Sequence, residues 1–312
     1  MQQRAVRRPF SSPRTGLAAG PLALALTGCT APAPPVAIPF TCTAADHVMV
    51  RATLNGRDPV DLMFHTAIDS VSLTKAAIAR LTTFAPDGSI DVRSWGGTAA
   101  ARHSRGNTLQ IGPLTFCDLE LTESELSGPG SDGKFGPNLF AGQFVELDFD
   151  RSELRLHATL PPHAAQFECL ELEVQNGMLF VVGEARVGER TARPSFLLHT
   201  GFGGAALLDE QLVREHGLPT APDPTAPTLR DSYGNPVPTQ RLQRTCLRLG
   251  TLVFDGVPAA VFGGQLGGRR TSVLGGTVLT RMNLILSADR RRLYVRPNAR
   301  FAAPWPAPQR SS

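Results

Sequence analysis

Two short runs of this sequence set a histidine ahead of a threonine and a small residue: His65-Thr66-Ala67 and His199-Thr200-Gly201. An imidazole changes charge near neutral pH, so it can take or give a proton in catalysis, and it is also a common ligand for transition metals. Two imidazoles brought together would titrate as a coupled pair, and a singly protonated pair could share one proton between them. The same nitrogens could hold a transition metal if a third or fourth ligand joined them, and His103 is the further ligand the sequence nominates. His47, His157, His163 and His216 lie in no metal or nucleophile motif and read as surface or strand-end residues. Ser70 and Ser195 are near the two runs, but neither sits in the Gly-x-Ser-x-Gly turn of a hydrolase nucleophile.

The elements that must position these histidines occur twice. In the first copy, Val48 to Leu54, a turn at Asn55-Gly56, and Val60 to Phe64 lead into His65. In the second, Leu179 to Val187, a turn at Gly188, and Pro194 to Leu198 lead into His199. Alternating apolar residues around an Asn-Gly pair predict a strand-turn-strand unit. A helix-like run follows each histidine, Thr74 to Leu81 and then Leu208 to Gly217, with Gly217 placed to end it. Each copy closes on an apolar run interrupted by a glycine, Gly136 and Gly275, followed by an amphipathic hairpin: Phe144 to Asp150 with Leu154 to Leu156, and Leu284 to Asp289 with Leu293 to Val295. A self-similar period of this kind predicts two homologous lobes.

Strand, turn, strand ending in Asp-Thr-Gly, helix, glycine-tipped hairpin, then an apolar-apolar-Gly strand is the plan of one aspartic protease lobe. Over about residues 45 to 297 the chain resembles two such lobes in tandem, similar to the retropepsin-like, gag-type aspartyl proteases of bacteria. The resemblance implies an all-β, bilobal, pepsin-like fold with a few short helices, lobe 1 at 41–160 and lobe 2 at 161–298. In that family two aspartates, one per lobe, share a proton and activate water. Here His65 and His199 stand at both aspartate positions and Ala67 replaces the first glycine, so the ordinary mechanism is not expected. The resemblance further implies that Thr66 and Thr200 bind each other's motif across the lobe interface. It also implies that hairpins around Trp95-Gly96 and Tyr233-Gly234 close over a cleft that takes an extended peptide.

Composition agrees with a β-rich globular body: 42% hydrophobic residues, 19% charged, 30 glycines and 26 prolines. The net charge of +4 comes from Arg4, Arg7, Arg8 and Arg14 near the N-terminus; the remainder carries 27 basic against 27 acidic residues. A neutral body with no basic stripe argues against nucleic acid. Those arginines, an apolar run from Leu17 to Leu26 and then Leu26-Thr27-Gly28-Cys29 resemble a bacterial lipoprotein signal, which implies removal of 1–28 and lipidation of Cys29. Residues 29–40 read as a proline-rich spacer and 299–312 as a disordered tail. Thr30 favours the outer membrane, facing the periplasm, over retention at the inner one. In that compartment Cys42, Cys117, Cys169 and Cys246 read as two disulfides, most simply Cys42 with Cys117 and Cys169 with Cys246, with other pairings open.

The function expected is therefore an aspartyl-protease-like lipoprotein of the cell envelope that binds a peptide or protein segment without cleaving it and needs no cofactor. Two alternatives stand beside it. In one, His65 and His199 perform acid-base or metal-dependent catalysis; in the other, the lobes are structural and partners bind elsewhere.

Overall fold

In a computed structural model, residues 34–94, 97–220, 228–262, 265–266 and 269–306 are described. The described chain from residue 34 packs as one unit, and its elements are almost all strands. The expected all-β architecture, built like an aspartic protease, is what the strands form.

The sheet order displays the repeat. In the first copy it runs Val48–Leu54, Asp58–Phe64, Gly133–Phe135, Val71–Thr74, Leu114–Ser124, Gly97–Ile111. In the second it runs Met178–Val182, Ser195–His199, Ser272–Gly275, Ala206–Asp209, Ala259–Phe262, Thr239–Arg241. Strand directions match as well. The strand before each histidine runs parallel to the glycine-ended strand, with Phe64 beside Phe135 and Leu198 beside Leu274. The glycine-ended strand is antiparallel to the one after the histidine, which in turn runs parallel to its next neighbour.

Between the copies lies a shared layer ordered Val36–Pro39, Glu153–His157, Phe144–Asp148, Met282–Leu286, Arg292–Pro297, Glu168–Gln175. Its centre is the antiparallel pair in which Val145 faces Leu286 and Leu147 faces Leu284. The side chains of Val145, Leu147, Leu284 and Leu286 belong to the core that runs through both copies. On the other face Glu146 is buried, and its two carboxylate oxygens meet His157 Nε2 at 2.6 Å and His163 Nε2 at 2.9 Å. Burial opposes the charge on Glu146, but the hydrogen bonds from His157 and His163 outweigh it and hold the carboxyl below its usual range. Those imidazoles, His157 at the end of its strand as expected and His163 in the connection, thus fasten the connection between copies to the shared sheet.

Local sequence accounts for the elements. Asn55 and Gly56, both at positive φ, are the central residues of a turn closed by Arg57 N donating to Leu54 O at 3.0 Å, in the three-residue loop between the paired Leu54 and Asp58. The helices are shorter than the sequence pattern predicts, Lys75–Ile78 and Glu210–Glu215. Thr74 Oγ1 caps the first by accepting from Ala77 N; Asp209 Oδ1 caps the second by accepting from Gln211 N and Leu212 N. The first ends early because the buried Asp58 carboxylate accepts from the N–H and hydroxyl groups of Thr82 and Thr83, pulling the chain away from the helix axis.

Three expectations need correction. Within the proline-rich spacer, Val36–Pro39 is an edge strand paired with Glu153–His157, since its alternate apolar residues find a core: Ile38 is fully buried. The tail is held as far as residue 306. The Arg281 guanidinium donates to the carbonyl oxygens of Arg300, Phe301, Ala303 and Pro304 and stacks on Trp305, 3.8 Å from the ring centroid. Cys42, Cys117, Cys169 and Cys246 are free thiols, three of them exposed. Their strands are not neighbours: Cys169 faces Tyr294 in the shared layer, whereas Cys246 faces Arg186 in a separate four-stranded sheet. Residues 1–33, with the signal and Cys29, lie outside the described residues, as do Trp95 and Gly96.

Candidate functional site

The two histidine runs meet at the junction of the copies. Each strand ends where its polar motif begins, and the strands are anchored below by fully buried side chains such as Phe64 and Phe196. The threonines then interlock. Thr66 Oγ1 donates to Leu198 O at 2.6 Å and accepts from Thr200 N at 3.1 Å. Thr200 Oγ1 donates to Phe64 O at 2.7 Å and accepts from Thr66 N at 3.0 Å. Each hydroxyl uses its donor and an acceptor on the opposite copy, so the pairing is reciprocal and fully buried.

Held this way, the rings of His65 and His199 lie 4.5 Å apart between centroids, inclined at 59°. Both residues are 6% exposed. The backbone N–H of Ala67 donates to His65 Nδ1 at 3.2 Å, which leaves the proton of the neutral ring on Nε2. The two motifs are not equivalent around the rings: the His65 ring lies against Gly201, where any Cβ would strike it. Gly136 and Gly275 have matching duties. A Cβ on Gly136 would run into Ile68 O, and one on Gly275 into Gly204 O, so the motif loops can lie flat on the glycine-ended strands only because these two residues lack a side chain.

Electrostatics keep both rings neutral. His65 is held well below the ordinary histidine range by burial first, then by His199, Lys134 and His47. His199 is pushed down to about 3, chiefly by burial, with Lys134 adding to it. Among the described residues, the groups that shift the pair are thus cationic or imidazole.

Lys134 and His47 are residues that the sequence patterns did not single out. Lys134 lies in the strand just before Gly136, where the second copy has Val273, and is 6% exposed. Its ammonium donates to Ser232 Oγ at 2.5 Å. A signal was present, since the chain has only two lysines, Lys75 and Lys134. His47, expected at the surface or at a strand end, directly precedes the strand Val48–Leu54 but is 4% exposed, packing between Gly128 and Gly203 with both ring nitrogens buried without a hydrogen-bond partner. His103 does not join the pair: its ring packs on Gly88 and its Nε2 lies 3.2 Å from Asp87. Among the described residues no three His, Cys, Asp or Glu are grouped to hold a metal ion.

The second hairpin, Leu229–Arg230 with Pro236–Val237, reaches across to the first copy. Ser232 O accepts from Glu125 N and Leu126 N, both at 2.9 Å. Its tip is shaped by Asp231, whose Oδ1 accepts from Tyr233 N and Asn235 N, and by Gly234 at positive φ. Tyr233 is half-buried, and that burial raises its hydroxyl pKa. Of the first hairpin, strands Gly88–Ser94 and Gly97–Ile111 pair as far as Ser94 opposite Gly97.

No curated protein matches the chain. Residues 50–139, the stretch of the first copy that holds His65, Thr66, Lys134 and Gly136, match the family model described as aspartyl protease.

Proposed function

We propose that this protein is a peptide-binding module of the cell envelope, anchored through a lipid on Cys29 at the outer membrane and facing the periplasm. It has the architecture of an aspartyl protease without its proteolytic chemistry. The observation that carries this reading is the facing pair of neutral, buried histidines at the positions where the family places its carboxylates. The aspartic mechanism needs an ionised carboxylate to take a proton from water and a protonated one to assist the carbonyl. Among the described residues, the groups that shift this pair are imidazoles and the Lys134 ammonium. The intact threonine interlock and the second hairpin, with Tyr233 and Gly234 at its tip, support retention of the cleft for an extended ligand, bound as an added strand.

A histidine acid-base pair would need one imidazolium at the working pH, and burial together with Lys134 opposes that. Lys134 is also a poor neighbour for a metal cation. The deciding experiment takes the purified full-length chain and measures capture of random short peptides, peptide cleavage and bound metal. The wild type and the His65→Asn/His199→Asn variant are compared. Capture without turnover or stoichiometric metal is expected. Turnover or metal that disappears in the variant would replace this reading with an enzyme of altered chemistry, and absence of capture would remove the binding role.

A further inference from the structure

Lys134 carries a buried charge that no carboxylate among the described residues pairs with directly. Its one hydrogen bond goes to the neutral Ser232 hydroxyl, although an ammonium has three donors. Among the described residues it forms no ion pair. Asp231 is near enough to favour the charge, but its carboxylate oxygens already accept from Tyr233 N, Asn235 N and Asn235 Nδ2 to close the hairpin. The fold does not require a lysine there, since the second copy builds the same strand with Val273. An unpaired buried cation is costly, and a protein retains one where something else can supply the opposite charge. The surroundings point the same way. His65 offers an Nε2 proton, and the buried His47 has two ring nitrogens without partners.

We propose that Lys134 is the receptor for a carboxylate on the ligand of the cleft, which displaces the Ser232 hydroxyl from the ammonium while Ser232 O keeps the hairpin on Glu125 N and Leu126 N. This rests on the peptide-binding reading and adds the chemical class of the ligand. A hydrogen bond from the ammonium to an ionised carboxylate is stronger than the one to a neutral hydroxyl that it replaces, so the exchange favours the ligand. Burial lowers Lys134 to about 8, and a bound anion would raise it again. The carboxylate has two sources in a peptide, an acidic side chain or a free C-terminus, and the chemistry at Lys134 is the same for both.

With two lysines in the chain, carbon-labelled lysine gives one NMR reporter on Lys134 and one on Lys75, which is exposed and pairs with Glu125 at 2.6 Å. Three probes are titrated into the full-length chain: acetyl-Ala-Glu-Ala-amide, acetyl-Ala-Gln-Ala-amide, and acetyl-Ala-Ala-Ala with a free carboxyl end. At least one carboxylate probe should move the Lys134 signal saturably, with Lys75 moving far less and the Gln probe having no effect. Which probe acts identifies the source. Labelled probe should bind Ser232→Ala about two- to tenfold more tightly than wild type, the range set by loss of one competing hydrogen bond. Lys134→Met should abolish that binding. No carboxylate-dependent shift, or equal affinity in Lys134→Met, overturns the proposal. If random peptides are still captured then, the peptide-binding reading survives alone; a carboxylate-dependent shift without peptide capture leaves the reverse.

Discussion

A pair of histidines gives this site a response to pH opposite in sign to that of a pair of carboxylates. A carboxylate pair must shed a proton to work, whereas these imidazoles are already neutral and resist gaining one, because burial and Lys134 disfavour added positive charge. The consequence for stability follows from linkage. An unfolded chain protonates His65 and His199 below about pH 6.5, while in the folded protein His199 stays neutral down to about 3. The unfolded state therefore binds more protons across that window, and stability falls as the pH drops through it. The denaturant midpoint of the wild type should fall more between about pH 7.5 and about pH 4.5 than that of His65→Asn/His199→Asn. Equal losses in the two proteins would show that the pair is not buried and neutral. The sequence made both histidines legible as a matched pair, since the same residue recurs at the same place in each copy. It hid Lys134 and His47, because their importance lies in which distant groups they approach, Ser232 in one case and Gly128 and Gly203 in the other.

Among the elements, the glycine-ended strands set the site's tolerance to change. Gly136 adopts ordinary extended backbone, φ −93°, so its glycine is required by proximity and not by backbone conformation. In Gly136→Ala the new Cβ meets the Ile68 carbonyl, a backbone atom that moves only if the loop carrying His65 moves. That substitution should lower stability by about 1–3 kcal/mol, the usual range for overpacking. Ala67→Gly, which introduces the residue of the second motif, should change stability by well under half of that. Thermal unfolding of both variants checks the contrast, and a neutral Gly136→Ala would mean that the two loops are not in contact. The strands were readable from alternation, and a helix-like run after each histidine was readable too; the caps at Thr74 and Asp209 came from the structure. Helix length was not readable, because the first helix is cut short by Asp58, which lies far back in the chain and captures Thr82 and Thr83.

At the level of the whole molecule, two copies become one unit through a shared sheet and a pair of threonines. Each hydroxyl serves both copies, so Thr66→Val leaves Leu198 O and Thr200 N without their partner inside the core. Thr66→Val and Thr200→Val should each destabilise by about 1–3 kcal/mol, the cost of stranding buried polar groups. Because the two hydroxyls bind within one network, the double variant should lose measurably less than the sum, as a double-mutant cycle in urea would show; strict additivity would mean that the interlock does not form. The amino-acid sequence by itself determined the β-rich class, the repeat, the matched histidines and the glycines behind them, since these are periodic or local features that a chain displays before it folds. Only the tertiary structure decided that the four cysteines stay apart, that Val36–Pro39 and the segment through 306 pack onto the body, and that Lys134 meets a hairpin from the other copy. Each of those depends on which surfaces come to face one another when the copies share a sheet, and such pairings over long separations leave no period in the sequence.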